Sequence, residues 1–341
     1  MVGLVAMIRL PSLGAAMRRR TFIILVGGGA VSPLVARAQQ KAMPVVGFLS
    51  ARSPFESSGV VDSFRKGLRQ IGFIEGQSVV IAFRWAEGRY DRLPALASEL
   101  IDLPVAALFA VGGSSAALAA KAATSTIPIV FVSSDPVGLG LVASLSHPGG
   151  NVTGISNLAS ELPSKSTELL KQLVPGADVI AYLVNPANQS AEVGRQQASL
   201  AAKALGIELR VLAAGTPREL DEAFAELKRL RITALEVMAD AFFDGQRERI
   251  VELSAQNGIA GCYPWRDYVL AGGMVSYGTN LLESYRQAGI YVGRILRGER
   301  PSDLPVMQPT KFELVLNLKT ARTLGIAVPP TLLAIADEVI E

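Results

Sequence analysis

The stretch PVVGFLSARSPFESSGVVDSFRKGLRQI, Pro44 to Ile71, contains the unit from which the rest of the chain is built. PVVGFLS (44–50) is a short continuous apolar run, as expected of a strand buried on both faces. Val60, Val61, Phe64, Leu68 and Ile71 then recur at helical spacing, with Arg65, Lys66 and Arg69 on the other face. A doubly buried strand followed by an amphipathic helix predicts a parallel sheet, because the helix serves as the crossover to the next strand.

The pattern repeats outward. SVVIAFR (78–84), VAALFAVG (105–112) and PIVFVS (128–133) read as further strands. Leu93, Leu96 and Leu100 stripe one intervening helix and SSAALAAKAA forms another, so four strand-helix steps fill residues 44–146. HPGGNVTGIS reads as turn, after which the alternation restarts. Helices are predicted around Ser164–Leu173, Ser190–Leu205, Pro217–Leu230 and Phe242–Gln256, with strands VIAYLVN (179–185), IELRVLAA (207–214), TALEVMA (233–239) and IAGCY (259–263). GGMVSYG (272–278), a helix over Leu282–Leu296, the spaced prolines Pro301, Pro305 and Pro309, KFELVLN (311–317) and a short helix to Leu324 close the chain. The expectation is α/β, with two Rossmann-like lobes of parallel sheet joined near Asn157–Glu161, a return to the first lobe near Tyr277 and a third crossing near Pro305. The corresponding boundaries are 39–157 plus 277–304 for lobe 1 and 158–276 plus 305–341 for lobe 2.

The leader RRTFIILVGGGAVSPLVARA (Arg19–Ala38) is too short and too glycine-rich to span about 30 Å of hydrocarbon. Its glycines lack the lysine and hydroxyl of a phosphate loop. Arg18-Arg19-Arg20, an apolar run and Ala36-Arg37-Ala38 instead match an export signal over residues 1–38, cleaved after about Ala38, with a twin-arginine-like start. The whole chain carries 33 basic and 30 acidic side chains, but five of the arginines and none of the acids lie in that leader. The remainder therefore has 28 basic against 30 acidic groups, which gives no cationic footprint for nucleic acid. One Cys, Cys262, rules out an internal disulfide, and one His, His147, leaves little for metal or triad chemistry. No G-x-S-x-G elbow is present, and SARSPF after the first strand is not a dinucleotide fingerprint. Neither catalysis nor a cofactor is expected.

In open parallel sheets ligands bind beyond the carboxyl ends of the strands. Gly112-Gly113-Ser114-Ser115 follows a strand and opens a helix, so it suits either a small anion at the helix N-terminus or ordinary capping. Asp135 and Asp240 each follow a strand and are candidates for an ammonium group; Asp135 before Pro136 also suits a turn. Asp240 and Asp244 equally suit a helix start. Phe242, Phe243, Trp265 and Tyr277 are candidates for an apolar wall or for core. Glu236 interrupts the apolar run ALEVMADAFF and leaves that wall open.

VVGFLSARSP, PIVFVSSDPVGLGLVASLSHPGGNVTGIS, AGGMVSYGTNLLESYRQAGIYVGRILRGERPSDLPVMQPTKFELVLNLKTARTLGI and the closing ADEVIE, together with the leader, run in one order over nearly the whole sequence. In these the chain resembles the ABC transporter substrate-binding proteins of the tryptophan/tyrosine type, which have the type I periplasmic-binding fold. The resemblance implies a monomeric, two-lobed periplasmic receptor that closes on a small ligand, an amino acid or similar zwitterion, and delivers it to an inner-membrane ABC permease. The alternative is a ligand-sensing partner of a membrane signalling receptor. Carried to matching loops, the implied ligand residues are Ser50, Arg52, Gly113, Ser114, Ser115, Ser133 and Asp135, facing Asn188, Asp240, Phe242 and Tyr277.

Overall fold

Five parallel strands form the first sheet: β1 (Val45–Ser50), β2 (Val80–Trp85), β3 (Val105–Val111), β4 (Ile129–Ser133) and β5 (Val152–Ser156), in the order β2-β1-β3-β4-β5. The computed structural model describes residues 42–341, so the export signal expected over residues 1–38 lies outside the described residues. Helices α1 (Ser58–Gln70), α2 (Leu93–Ile101) and α3 (Ser114–Ala123) cover the sheet. Val46, Phe48 and Phe109 pack with Phe64 of α1 on one face, while Leu49, Leu108 and Phe131 pack with Leu93 and Leu100 of α2 on the other. Burial on both faces is why these strands are apolar without alternation.

β5 departs from the turn expected over HPGGNVTGIS. The turn is confined to Gly149 and Gly150, which take left-handed torsions, and VTGIS pairs in register with IVFVS of β4. Gly154 belongs to the strand because a side chain there would run into Phe131 of the neighbouring strand.

The second sheet contains β6 (Val179–Val184), β7 (Glu208–Ala213), β8 (Ala234–Val237), β9 (Ala260–Tyr263), β10 (Val275–Thr279), β11 (Phe312–Asn317) and β12 (Glu338–Ile340), in the order β12-β11-β10-β9-β8-β6-β7. Only the β10–β11 pair is antiparallel. The remaining helices are α4 (Pro163–Leu173), α5 (Ala191–Ala204), α6 (Pro217–Leu230), α7 (Ala241–Gly245), α8 (Arg247–Gln256), α9 (Arg266–Leu270), α10 (Leu281–Leu296), α11 (Leu318–Thr323) and α12 (Pro330–Ile335). The single helix expected over Phe242–Gln256 is broken at Gln246, whose torsions (φ −104°, ψ 14°) leave the helical region. The break sets the short α7 free to turn Asp244 toward the first lobe, where it meets Arg52.

The chain passes between the sheets three times: after β5, after β10 and before β11. These segments are tied side by side. Ser156 N–H donates to the Met307 carbonyl at 2.8 Å, Met307 N–H to Gly154 at 3.0 Å, and the Thr279 hydroxyl to the Asn157 carbonyl at 3.4 Å. After the second crossing α10 returns to the first lobe and packs on α1. Gly67 and Gly289 let the two backbones touch: a side chain on Gly67 would strike the Arg286 carbonyl, and one on Gly289 the Phe64 carbonyl. Gly289→Ala is therefore expected to lower unfolding free energy by about 2–3 kcal/mol, as overpacking against backbone does. A urea midpoint unchanged by the substitution would show that the helices can separate freely.

The result is the two-lobed α/β architecture with multiple crossings expected from the strand-helix alternation. Among the described residues no helix is long and apolar enough to cross a membrane.

Candidate ligand-binding site

The carboxyl ends of both sheets face each other and leave a narrow cavity between them. Each lobe contributes loops that follow strands, as expected for open parallel sheets. Arg52 comes from the loop after β1, Gly113 and Ser114 follow β3, and Ser134 follows β4. Asn188 and Ser190 follow β6, Met238 follows β8 and Trp265 follows β9, with Asn157 and Ser160 supplied by the first crossing.

Gly112 and Gly113 have positive φ (83° and 113°), and a Cβ on Gly112 would lie only 2.9 Å from the Ala51 nitrogen. Glycine is needed to bring this turn so close to β1. Helix α3 then starts at Ser114 with no side chain capping it, so its first N–H groups present the positive end of the helix to the cavity. The Ser114 hydroxyl bonds those of Ser133 (2.7 Å), Ser190 (3.2 Å) and Ser134 (3.3 Å), and Ser134 bonds Ser190 at 2.8 Å. Because Ser190 belongs to the other lobe, this hydroxyl cluster bridges the cleft.

Two further contacts hold the lobes together. The Arg52 guanidinium donates to the Asp244 carboxylate in a buried ion pair. Burial opposes the arginine charge, but Asp244, Tyr285, Glu56 and Tyr268 more than offset it and raise its pKa. Burial also pushes the Asp244 carboxyl up to about 6, against the pull of Arg52. The second contact centres on Asp240, which caps α7 by accepting from Phe242 N–H (3.0 Å) and Phe243 N–H (3.2 Å). It also accepts from the Asn185 and Asn188 amides (3.1 and 2.9 Å) and from the Tyr90 hydroxyl of the first lobe (2.6 Å). Burial first, and then Asp240, raise the Tyr90 phenol well above its usual range, which keeps it a proton donor.

Of the residues expected from sequence, Arg52, Gly113, Ser114 and Asn188 line the cavity. Ser50, Ser133 and Asp240 bond to these from behind; the Ser50 hydroxyl accepts the Arg52 N–H at 3.1 Å. The other four do not line it. Ser115 is the second residue of α3, and Asp135 turns its carboxylate back to the Gly138 N–H at 2.8 Å, a turn role. Phe242 joins the core of the second lobe and packs against Gly88 of the first. Tyr277 lies in β10 and stacks on Phe312, ring centroids 5.9 Å apart. Neither aspartate named for an ammonium group is therefore available to one.

Tyr182, Tyr285, Trp265, Met238 and Leu281 give the cavity an aromatic and aliphatic lining. Tyr182 and Tyr285 carried no signal beyond their places in an apolar strand and a helical stripe, whereas Trp265 stood among the wall candidates. Three buried polar atoms of lining residues have no protein partner: Arg52 Nε, Ser160 Oγ and Trp265 Nε1. Leaving such an atom unpaired costs about 1–3 kcal/mol, so each of the three is open to a hydrogen-bond partner within the cavity. Cys262 is buried in β9, where burial raises its thiol pKa and makes it a small hydrophobe. Among the described residues no group of three potential ligands could hold a metal.

A family model described as ABC transporter substrate binding protein matches residues 42–340. The chain is 28% identical over 262 residues to a tyrosine-binding protein of Clostridioides difficile (strain R20291), covering 76% of this chain and 75% of the relative. It is similar to an ABC domain from Streptococcus pneumonia solved in complex with L-Trp (24% identity, TM-score 0.80, 88% of this chain and 100% of the other). It is also similar to the ligand-free, open structure of a substrate-binding protein with adhesive properties from Clostridium difficile (25% identity, TM-score 0.61, 87% and 99%). The cross-cleft bonds described above are those of a closed form.

Proposed function

The chain belongs to the ABC transporter substrate-binding protein family, and from that premise we propose that it captures an aromatic amino acid of the tyrosine or tryptophan kind. The observation that carries this is the cavity between the lobes, with its aromatic walls and three unpartnered buried polar atoms. The tyrosine-binding relative supports the choice of ligand class. Family members bind and release a solute without transforming it, and contacts from both lobes shift the equilibrium toward the closed form. The family match names transport and does not favour the signalling alternative.

The partner we infer is an ABC permease, with the receptor acting as a monomer outside the cytoplasm. Periplasmic delivery by the leader, with cleavage near Ala38, would be read directly by N-terminal sequencing of the processed chain. A mature charge slightly below zero fits the absence of nucleic acid from this scheme.

A ligand at 100 times its dissociation constant adds about 2.7 kcal/mol to the folded state, equivalent to roughly 5 °C in Tm for a chain of this size. Tyrosine and tryptophan are expected to give that shift in a thermal panel with other amino acids, nucleosides and sugars. They are also expected to change the fluorescence of Trp265, with the signal lost in Trp265→Phe. A flat response to every class would sink the receptor reading, and a shift with sugars or nucleosides alone would replace the ligand.

A further inference from the structure

Among the lining residues Arg52 is the only charged side chain, and no carboxylate joins it. The acids nearby are already engaged: Asp244 holds Arg52, Asp240 receives five hydrogen bonds from Tyr90, Asn185, Asn188 and the start of α7, and Asp135 closes its own turn. The unpartnered atoms lean the same way. Arg52 Nε and Trp265 Nε1 are pure donors, and only Ser160 Oγ can accept. Helix α3 adds free N–H groups at its glycine-capped start. Asn188 and Asn157 already spend their side-chain oxygens on the N–H groups of Ser190 (2.9 Å) and Ala159 (3.3 Å). The cavity thus offers buried donors and the positive end of a helix, with no carboxylate to replace the water around an ammonium group.

We propose that the carboxylate is the end of the solute this site recognises, held by Arg52 and the α3 N-terminus, and that the α-amino group is dispensable. The substrate class then widens from aromatic amino acids to aromatic carboxylic acids without an amino group. This rests on the reading of the cavity as a receptor site for an aromatic solute.

Calorimetry and thermal shift on the unmodified protein test it with three sets of probes: tyrosine and tryptophan, their deaminated acids hydroxyphenylpropionate and indolepropionate, and their decarboxylated amines tyramine and tryptamine. The acids are expected to bind within about tenfold of the amino acids, and the amines about 100-fold more weakly, since they forfeit the charge-assisted bonds. Amines that match the amino acids, or acids that fail where the amino acids bind, would overturn the proposal and leave the receptor reading intact. Acids that bind where the amino acids do not would support it and remove amino acids as the ligand. Silence from all three sets would overturn both.

Discussion

Asp244→Ala is expected to weaken tyrosine binding by about 100-fold or more while leaving the unliganded unfolding transition nearly in place. Removing one member of a buried ion pair strands the other charge, a cost of about 3–5 kcal/mol when the survivor stays buried. Arg52 and Asp244 belong to different lobes, so the stranded guanidinium escapes into water as soon as the lobes part. The cost accordingly falls on the closed form alone, and binding, which needs that form, carries whatever part of it a solute carboxylate at Arg52 does not offset. Calorimetry at pH 7.5 reads the affinity, and X-ray scattering should show the variant remaining expanded at tyrosine concentrations that compact the parent. Unchanged affinity would mean that the pair is not part of closure.

Glu236→Gln is expected to stabilise the protein by on the order of 4 kcal/mol at pH 8 and by little at pH 4.5. Glu236 lies fully buried in β8, where its carboxyl accepts the Thr167 hydroxyl of α4 at 2.8 Å. Burial raises its pKa from 4.5 to about 8, with Thr167 pulling slightly the other way. A carboxyl whose folded value is raised leaves stability intact below the unfolded pKa. As pH climbs from about 4.5 to about 8 the unfolded chain releases a proton that the folded chain retains, and stability drains away over that interval. Glutamine accepts the same Thr167 bond without titrating. Urea melts at the two ends of this range check it; a difference between parent and variant that is independent of pH would mean that Glu236 titrates normally.

These two residues also mark where sequence stopped being informative. The strand-helix alternation needs only local periodicity, and hence every strand except β5 and β12, and most of the crossover helices, were readable from apolar spacing. β5 was hidden because VTGIS follows Pro148-Gly149-Gly150-Asn151, and Gly154, which resembles a turn residue, serves the close approach to Phe131. For the site, the Gly112-Gly113-Ser114 loop, Arg52 and Asn188 could be placed because a loop after a parallel strand must open on the cleft. Asp244 could not be paired, since its partner is 192 residues away and the break at Gln246 that turns it inward leaves no periodic trace. Tyr277 shows the other limit. Along a strand neighbouring side chains alternate in direction, and nothing in VSYGT states that its ring stacks on Phe312 instead of reaching the cavity.

The pairing of α1 with α10 has a consequence for how the protein is made. Arg286 reaches Gln70 across 216 residues of chain, so the amino-terminal lobe lacks one of its covering helices until almost the whole polypeptide has left the ribosome. The late helix brings Tyr285, Val292 and Ile295 to complete the cluster around Phe48 and Phe64. A nascent chain ending before Leu281 holds that greasy surface open, and such surfaces invite holding chaperones and aggregation. Order of synthesis and order of folding are thereby uncoupled: the half that emerges first waits for a helix made after most of the second half.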